Sequence, residues 1–252
     1  MKKIIVLSVV SSIGLTSFLA NAEESGKNGV YVTGKMGASI IQMSGQKITS
    51  TFDDFPDDTL SYNGGSHRNG VFAGGIALGY DFSNEFNLPI RAEIDFISRG
   101  KAKSEFNLEK DFDIDGLYTN DAKNQVKLNT LMVNAFYDFK NESSFTPYLS
   151  AGLGYASINQ KTTLRDSYID ASNPENNDSG SQSRSHTSNN FAWSVGAGVK
   201  YAMNDDFDID FSYRYLDAGK ASISYNDEDG DNIKSKIKVK TNDLMLGVTY
   251  KF

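Results

Sequence analysis

The sequence predicts an all-β protein: an eight-stranded antiparallel transmembrane β-barrel with short periplasmic turns and four long extracellular loops. Three observations carry that expectation. The chain opens on an export signal, eight segments alternate apolar and polar residues with period two, and the connections between them alternate short and long.

The export signal comes first. Lys2 and Lys3 precede an apolar run from Ile4 to Leu19, which ends at the small-residue site Ala20-Asn21-Ala22. This reads as a secretory signal peptide, residues 1–22, with residues 23–252 forming one barrel domain. Removing the two lysines takes the formal charge from −7 to −9. An acidic chain is a poor general nucleic-acid binder. The chain has no cysteine, so neither disulfides nor an acylated cysteine is available.

The strands follow in order. In residues 30–40, Val30, Val32, Met36, Ala38 and Ile40 share one face. Residues 71–82 place Phe72, Ile76, Leu78, Tyr80 and Phe82 together, and residues 90–97 set Ile90, Ala92, Ile94 and Phe96 against Arg91, Glu93 and Asp95. The pattern recurs in 131–139, 149–155, 191–201 and 207–215, and the C-terminal strand makes eight. Connections 83–88, 140–145 and 203–206 are short, whereas 42–69, 100–124, 159–189 and 218–240 are long. Aromatics gather at the apolar strand ends (Tyr80, Phe82, Tyr137, Phe139, Tyr201, Phe207, Tyr250, Phe252), as in a girdle at a membrane interface.

The faces follow from the medium. Eight strands enclose an interior that side chains just fill. Arg91, Glu93, Asp95, Asp208, Asp210 and Arg214 are expected inside, with the two arginines paired to those carboxylates, because buried charges must be paired. A filled interior argues against a wide channel.

The last strand, KSKIKVKTNDLMLGVTYKF, carries Lys234, Lys236, Lys238 and Lys240 and then Leu244, Leu246, Val248, Tyr250 and Phe252 on one face. The change from apolar to basic is expected to mark the outer membrane boundary. A tight turn at Asp229-Gly230 would set cross-strand partners summing to 459, pairing Tyr215 with Leu244 and Phe211 with Val248, and extending above the membrane as a two-stranded blade. Loop 100–124 adds Lys101, Lys103 and Lys110. Loop 42–69 carries Asp53, Asp54, Asp57 and Asp58, and loop 171–190 is polar, of low complexity and reads as unable to bury a core.

Catalytic chemistry is thinly represented. His67 and His186 both fall in expected loops, and Ser66-His67 adjacency is no evidence for a triad. In an EF-hand alignment Gly230 at the sixth position puts Tyr225 at the first and Lys236 at the twelfth, so the acidic run 226–231 fails as a calcium loop. No enzyme, metal or cofactor is expected.

The segments GVYVTGKMGASI, GGIALGYDF, PIRAEIDF, LNTLMVNAFYDF, TPYLSAGLGYA, YRYLDAGK and KTNDLMLGVTYKF resemble the enterobacterial heat-resistant agglutinins and Tia-type invasion proteins, within the OmpA-like and opacity group of eight-stranded barrels. The resemblance covers essentially the whole mature barrel. It implies a surface adhesin or invasin that agglutinates cells and binds heparan-sulfate proteoglycan, and it marks Phe252 as the signal for the outer-membrane assembly machinery. On charge alone, Lys234, Lys236, Lys238 and Lys240, with Lys101, Lys103 and Lys110, are the polyanion-binding candidates. The ladder could equally meet lipopolysaccharide phosphates. Three other readings stand beside the adhesin: a structural or defensive surface protein binding serum factors or lipopolysaccharide, a small channel, and a barrel enzyme.

Overall fold

The computed structural model describes residues 29–52, 59–113, 116–226 and 230–252; the expected signal peptide 1–22, the four loop aspartates at 53, 54, 57 and 58, and Asp229 of the expected turn lie outside them. Nine strand segments are formed: β1 (Val30–Thr51), β2 (Thr59–Asp81), β3 (Ile90–Arg99), β4 (Ala102–Asp113), β5 (Gly116–Asp138), β6 (Phe145–Asp170), β7 (Asp178–Ala202), β8 (Phe207–Asn226) and β9 (Asn232–Lys251). The order around the sheet is β3-β2-β1-β9-β8-β7-β6-β5-β4, and β3 also pairs with β5. β3 runs along β5 to Ser98↔Asn129, and β4 resumes along the same strand at Ala102↔Val126. Together they make one stave, so the closed ring has eight. Closure leaves no unpaired edge in the membrane, as a lipid-exposed backbone requires.

The short connections and both ends of the described chain, Gly29 and Phe252, lie at one end of the ring. There Phe252 N–H donates to Val30 O at 3.0 Å. The long connections lie at the other end, and most of their residues are paired strand. β6 and β7 are in register from Phe145↔Tyr201 to Tyr168↔Asp178. The polar segment 171–190, read as a loop unable to bury a core, is strand from Asp178 onward. It is held by the ladder and by cross-strand side-chain pairs, Thr163–Ser183 at 2.8 Å and Asn159–Thr187 at 2.9 Å, rather than by an apolar face.

The ring changes character along its axis. In the half near the chain ends the outward residues are large and apolar, among them Met36, Phe72, Ile94, Val133, Leu153, Phe191, Phe211 and Leu246, all exposed. That band faces lipid. The interior there is charged. In the far half the outward residues are mostly polar, and the interior holds an apolar core of Ile41, Met43, Val126, Leu128, Ile158, Leu216, Ile237 and Val239 together with a hydrogen-bonded layer of Gln46, Ser104, Asn124, Gln160, Thr162 and Ser235. A second cluster of Ile48, Ala122 and Ile233 lies above it.

The far half is no longer a barrel. The β7–β8 ladder ends at Trp193↔Asp217 and the β2–β3 ladder at Ala73↔Arg99. Beyond those points β2-β1-β9-β8 forms one sheet and β4-β5-β6-β7 another, facing each other across the core as in a sandwich. Side chains close the two seams: Asn190 Nδ2 donates to Ala218 O at 3.0 Å and Lys220 O at 2.8 Å, and Lys103 N–H donates to Asn69 Oδ1 at 2.6 Å. Register shifts between Ser44 and Lys47 and between Asp217 and Gly219 fall where the sheets separate. Gly45 and Gly219 take φ of 56° and 83° there. Each supplies the left-handed residue that such a bulge needs, and the bulges bend the strands from a round to a flattened cross-section.

Candidate functional site

The charged interior lies inside the lipid-facing half. Arg91 is buried and donates to Asp138 from Nε at 2.8 Å and from Nη2 at 2.9 Å. Its guanidinium lies 4.6 Å from the Phe136 ring centre and 5.0 Å from that of Tyr148. Tyr148 in turn donates to Asp210 at 2.7 Å, and Lys251 bonds Asp208 at 2.9 Å. Higher up, Lys35 pairs with Glu93, and Arg214 bridges Asp95 at 2.8 Å and Asp243 at 3.3 Å. The topmost layer is Arg99–Asp243 at 2.6 Å, with Ser39 Oγ donating to the same carboxylate at 2.6 Å.

All six interior charges singled out from sequence point inward, and Arg214 reaches one of the carboxylates named for it. Arg91 does not: its partner is Asp138 on β5, one strand over in the ring. Asp138, Lys35, Arg99, Lys200 and Asp243 complete the network and were missed. Period two already placed Asp138 and Asp243 on polar faces, so the signal was present. Every strong cation here has a carboxylate partner, and the apolar core caps the stack. This arrangement braces the barrel rather than handling a ligand.

The outer face above the lipid band has a different character. Lys234, Lys236, Lys238 and Lys240 all point outward from β9. Their neighbours differ from those the expected turn implied. Cross-strand positions sum to 457 in the barrel (Phe211↔Leu246, Tyr213↔Leu244) and to 458 beyond the bulge (Lys220↔Lys238, Asn226↔Asn232), not 459. The hairpin tip is longer than two residues, and the bulge takes up one more. The segment is also no two-stranded blade, because β9 pairs with β1 on its other side as far as Thr51↔Asn232.

That second neighbour adds cations that sequence reasoning missed. Lys47 on β1 stands directly opposite Lys236, and Lys220 on β8 directly opposite Lys238. Six lysines thus share one outer surface of the β1-β9-β8 sheet. Asp217 is the nearby acid, 3.3 Å from Lys238 and 3.7 Å from Lys240. The Lys240 ammonium also sits 5.5 Å from the Tyr215 ring centre; the Tyr215 hydroxyl first, and Asp217 after it, raise its pKa. Lys101, Lys103 and Lys110 lie on β4 and the turn before it, two staves from β1 and three from β9, and are not brought to this surface.

Like charges directly opposite each other destabilise a sheet. Two such pairs stand here on a chain that is acidic overall. His67 is outside this surface: its Nδ1 lies 3.0 Å from Gln46 Nε2 in the seam, and His186 is exposed on β7.

Comparison with known proteins follows from this architecture. Residues 8–252 match the family described as outer membrane protein beta-barrel domain. The outer membrane protein PagN of Salmonella typhimurium is 40% identical over 235 residues, which cover 92% of this chain and 93% of that protein. A 31 kDa outer-membrane immunogenic protein of Brucella melitensis is 25% identical over 222 residues, covering 83% and 79% of the two chains. Among solved structures, that of OprG from Pseudomonas aeruginosa superposes with a TM-score of 0.50 at 13% identity, covering 90% of this chain and 97% of that one.

Proposed function

The chain belongs to the outer membrane protein beta-barrel domain family and resides in the outer membrane; from that premise we propose that it is a surface adhesin or invasin that grips host cells through sulfated glycosaminoglycan. The resemblance to heat-resistant agglutinins and Tia-type invasion proteins supplies the functional class. One observation carries the ligand: two directly opposed lysine pairs, Lys47/Lys236 and Lys220/Lys238, with Lys234 beside them, on the outer face of a sheet that gains nothing from their repulsion. A polyanion laid across the face relieves that repulsion. Alternate lysines along β9 repeat at roughly 7 Å, and neighbouring strands add a second row about 4.8 Å away, so a linear chain of sulfates meets charge along its length.

The reading is tested by expressing the protein on a non-adherent bacterial strain and scoring binding to epithelial cells with and without soluble heparin. Binding should appear and be competed. A variant with Lys47, Lys234, Lys236 and Lys238 changed to Gln should insert normally but leave a heparin column at lower salt. Unchanged retention of correctly inserted variant would remove the glycan. Absence of any gain in adhesion would remove the adhesin itself in favour of a structural or serum-factor-binding surface protein.

A further inference from the structure

Where the ring opens into two sheets, four strands lose a neighbour: β7 and β8 at one seam, β2 and β4 at the other. Three of these edges are blunted. β8 carries the bulge between Asp217 and Gly219, β2 the irregularity opposite Gln46, and β4 a register shift between Asn107 and Glu109. Lys220 on β8 and Lys103 and Lys110 on β4 add charge. Bulges and lysines guard an edge against an added strand. β7 has neither. Its ladder with β6 runs without a shift to Tyr168↔Asp178, and its outer segment DSGSQSRSHTSNN, 178–190, holds no lysine and no proline.

The direction of its free backbone groups follows from the register. Ala202 N–H donates to Ser144 O at 2.9 Å, so the even-numbered residues of β7 bond β6. The odd-numbered residues turn their N–H and C=O the other way, toward β8 as far up as Trp193↔Asp217. The last bridge above that point is Ser222 N–H to Ser188 Oγ at 3.4 Å. Beyond it the backbone groups of Ser181, Ser183 and Ser185 meet no strand, and their short side chains are exposed. Asp178 Oδ1 takes the Ser179 N–H at 2.8 Å and closes the edge at its tip. Arg184 lies on the other face, beside Thr162, with its guanidinium 5.3 Å from the Tyr225 ring centre across the seam. Its Nη1 donates to Ser183 O at 3.1 Å, and among the described residues no carboxylate pairs with it.

We propose that the β7 edge from Ser181 to Ser185 accepts an extended segment of a partner protein as an added antiparallel strand, with an acidic side chain opposite Arg184. Each odd residue offers one donor and one acceptor side by side, a pattern that another extended backbone matches. A sulfated glycan, which presents chiefly acceptors, does not. The even residues of β7 take the non-hydrogen-bonded positions of the new pair, where facing side chains come closest. Arg184 therefore selects an acid, while the serines beside it tolerate most residues. The arriving carboxylate draws the guanidinium away from Ser183 O and frees that carbonyl for the ladder. This surface uses none of the lysines of β1, β8 and β9 and does not need the host-glycan reading.

The test uses the full-length barrel folded in lipid nanodiscs and a disulfide-closed β-hairpin peptide with one free edge and a central glutamate. Preorganising the probe lowers the ordering cost of docking. Amide exchange and amide NMR shifts are followed through the titration. Ser181, Ser183 and Ser185 should gain protection, while Gln182 and Arg184, already bonded to β6, stay unchanged. A peptide with lysine in place of the glutamate should bind roughly two- to ten-fold more weakly, and R184E should reverse that preference. Ser183→Pro removes one edge N–H without touching the β6 ladder; it should abolish the protection and leave heparin retention as in wild type. If that variant fails to fold, N-methylating the edge-facing amides of the peptide makes the same test on the wild-type protein. No protection of the three serines, equal binding of the glutamate and lysine peptides, or undiminished binding of the N-methylated peptide would overturn the proposal. Protection that rises with protein concentration in the absence of peptide would also overturn it, since the edge would then join two copies of this chain.

Discussion

The two halves of the ring solve the same packing problem with opposite signs. In the lipid half, Leu244, Leu246 and Val248 face outward and Asp243 faces in. In the outer half of the same strand, Lys234, Lys236 and Lys238 face outward and Ile233, Ile237 and Val239 face in. The strand never breaks its alternation. Only the solvent beside it changes, and the inside inverts because a face turned to water can release its apolar residues to a core. In lipid the outer face must take them, and the interior is left to polar groups that satisfy one another.

Four tests, using five substitutions, would break or sharpen this contrast. The largest effect is expected from Asp243→Leu. Arg99 and Asp243 are both fully buried, so removing the carboxylate leaves Arg99 without its ion pair, at a cost of about 3–5 kcal/mol in urea unfolding from bilayers. A loss below about 1 kcal/mol would mean that the charged stack does not brace the barrel. Next is Ile158→Ala in the outer core, expected to cost about 2–5 kcal/mol. It should expose the outer strands to protease while the lipid half keeps its heat-resistant compact migration in gels; coincident loss of both would make the halves one cooperative unit.

The third is a matched pair on one face of β9. Leu246→Lys places a charge in lipid and should cost about 2–4 kcal/mol, or less if the site lies near the interface. Lys236→Leu, ten residues away, should change stability by no more than about 0.5 kcal/mol. Similar costs for the two would misplace the membrane boundary. The last is Asn190→Ala, which removes both of that side chain's bonds across the β7–β8 seam, about 1–2 kcal/mol together. Hydrogen exchange should rise over residues 218–222 and stay unchanged in the ladder below Asp217.

The same contrast explains what was legible beforehand. Alternation revealed the lipid half because its outward face is crowded with large apolar residues. The outer half was read as loops because its apolar residues are sparser and sit on the other parity. KSKIKVK already alternates Ile237 and Val239 with lysine, but the lysines at even positions mask the core residues at the odd ones. The hairpin register erred for a related reason. Sums of 457 and 459 keep every residue on the same face, so the matching of apolar partners could not tell them apart. The bulge at Asp217–Gly219 and the tip length are settled by backbone geometry that no alternation reports. Lys47 and Lys220 escaped notice because a surface built across three strands is invisible along any one of them.

The long β6–β7 register has a mechanical consequence. Its ladder runs unbroken from Phe145↔Tyr201, at the inner rim, to Tyr168↔Asp178, near the outermost turn. Interstrand hydrogen bonds lie across the strands. A pull on that tip directed away from the cell draws both strands along together, so the load passes to the flanking β5–β6 and β7–β8 ladders, whose bonds share it in shear instead of parting one at a time like a zipper. Tension from flowing fluid at the tip would thus pass to the membrane-embedded ring through a stiff rod, with no slack to take up first.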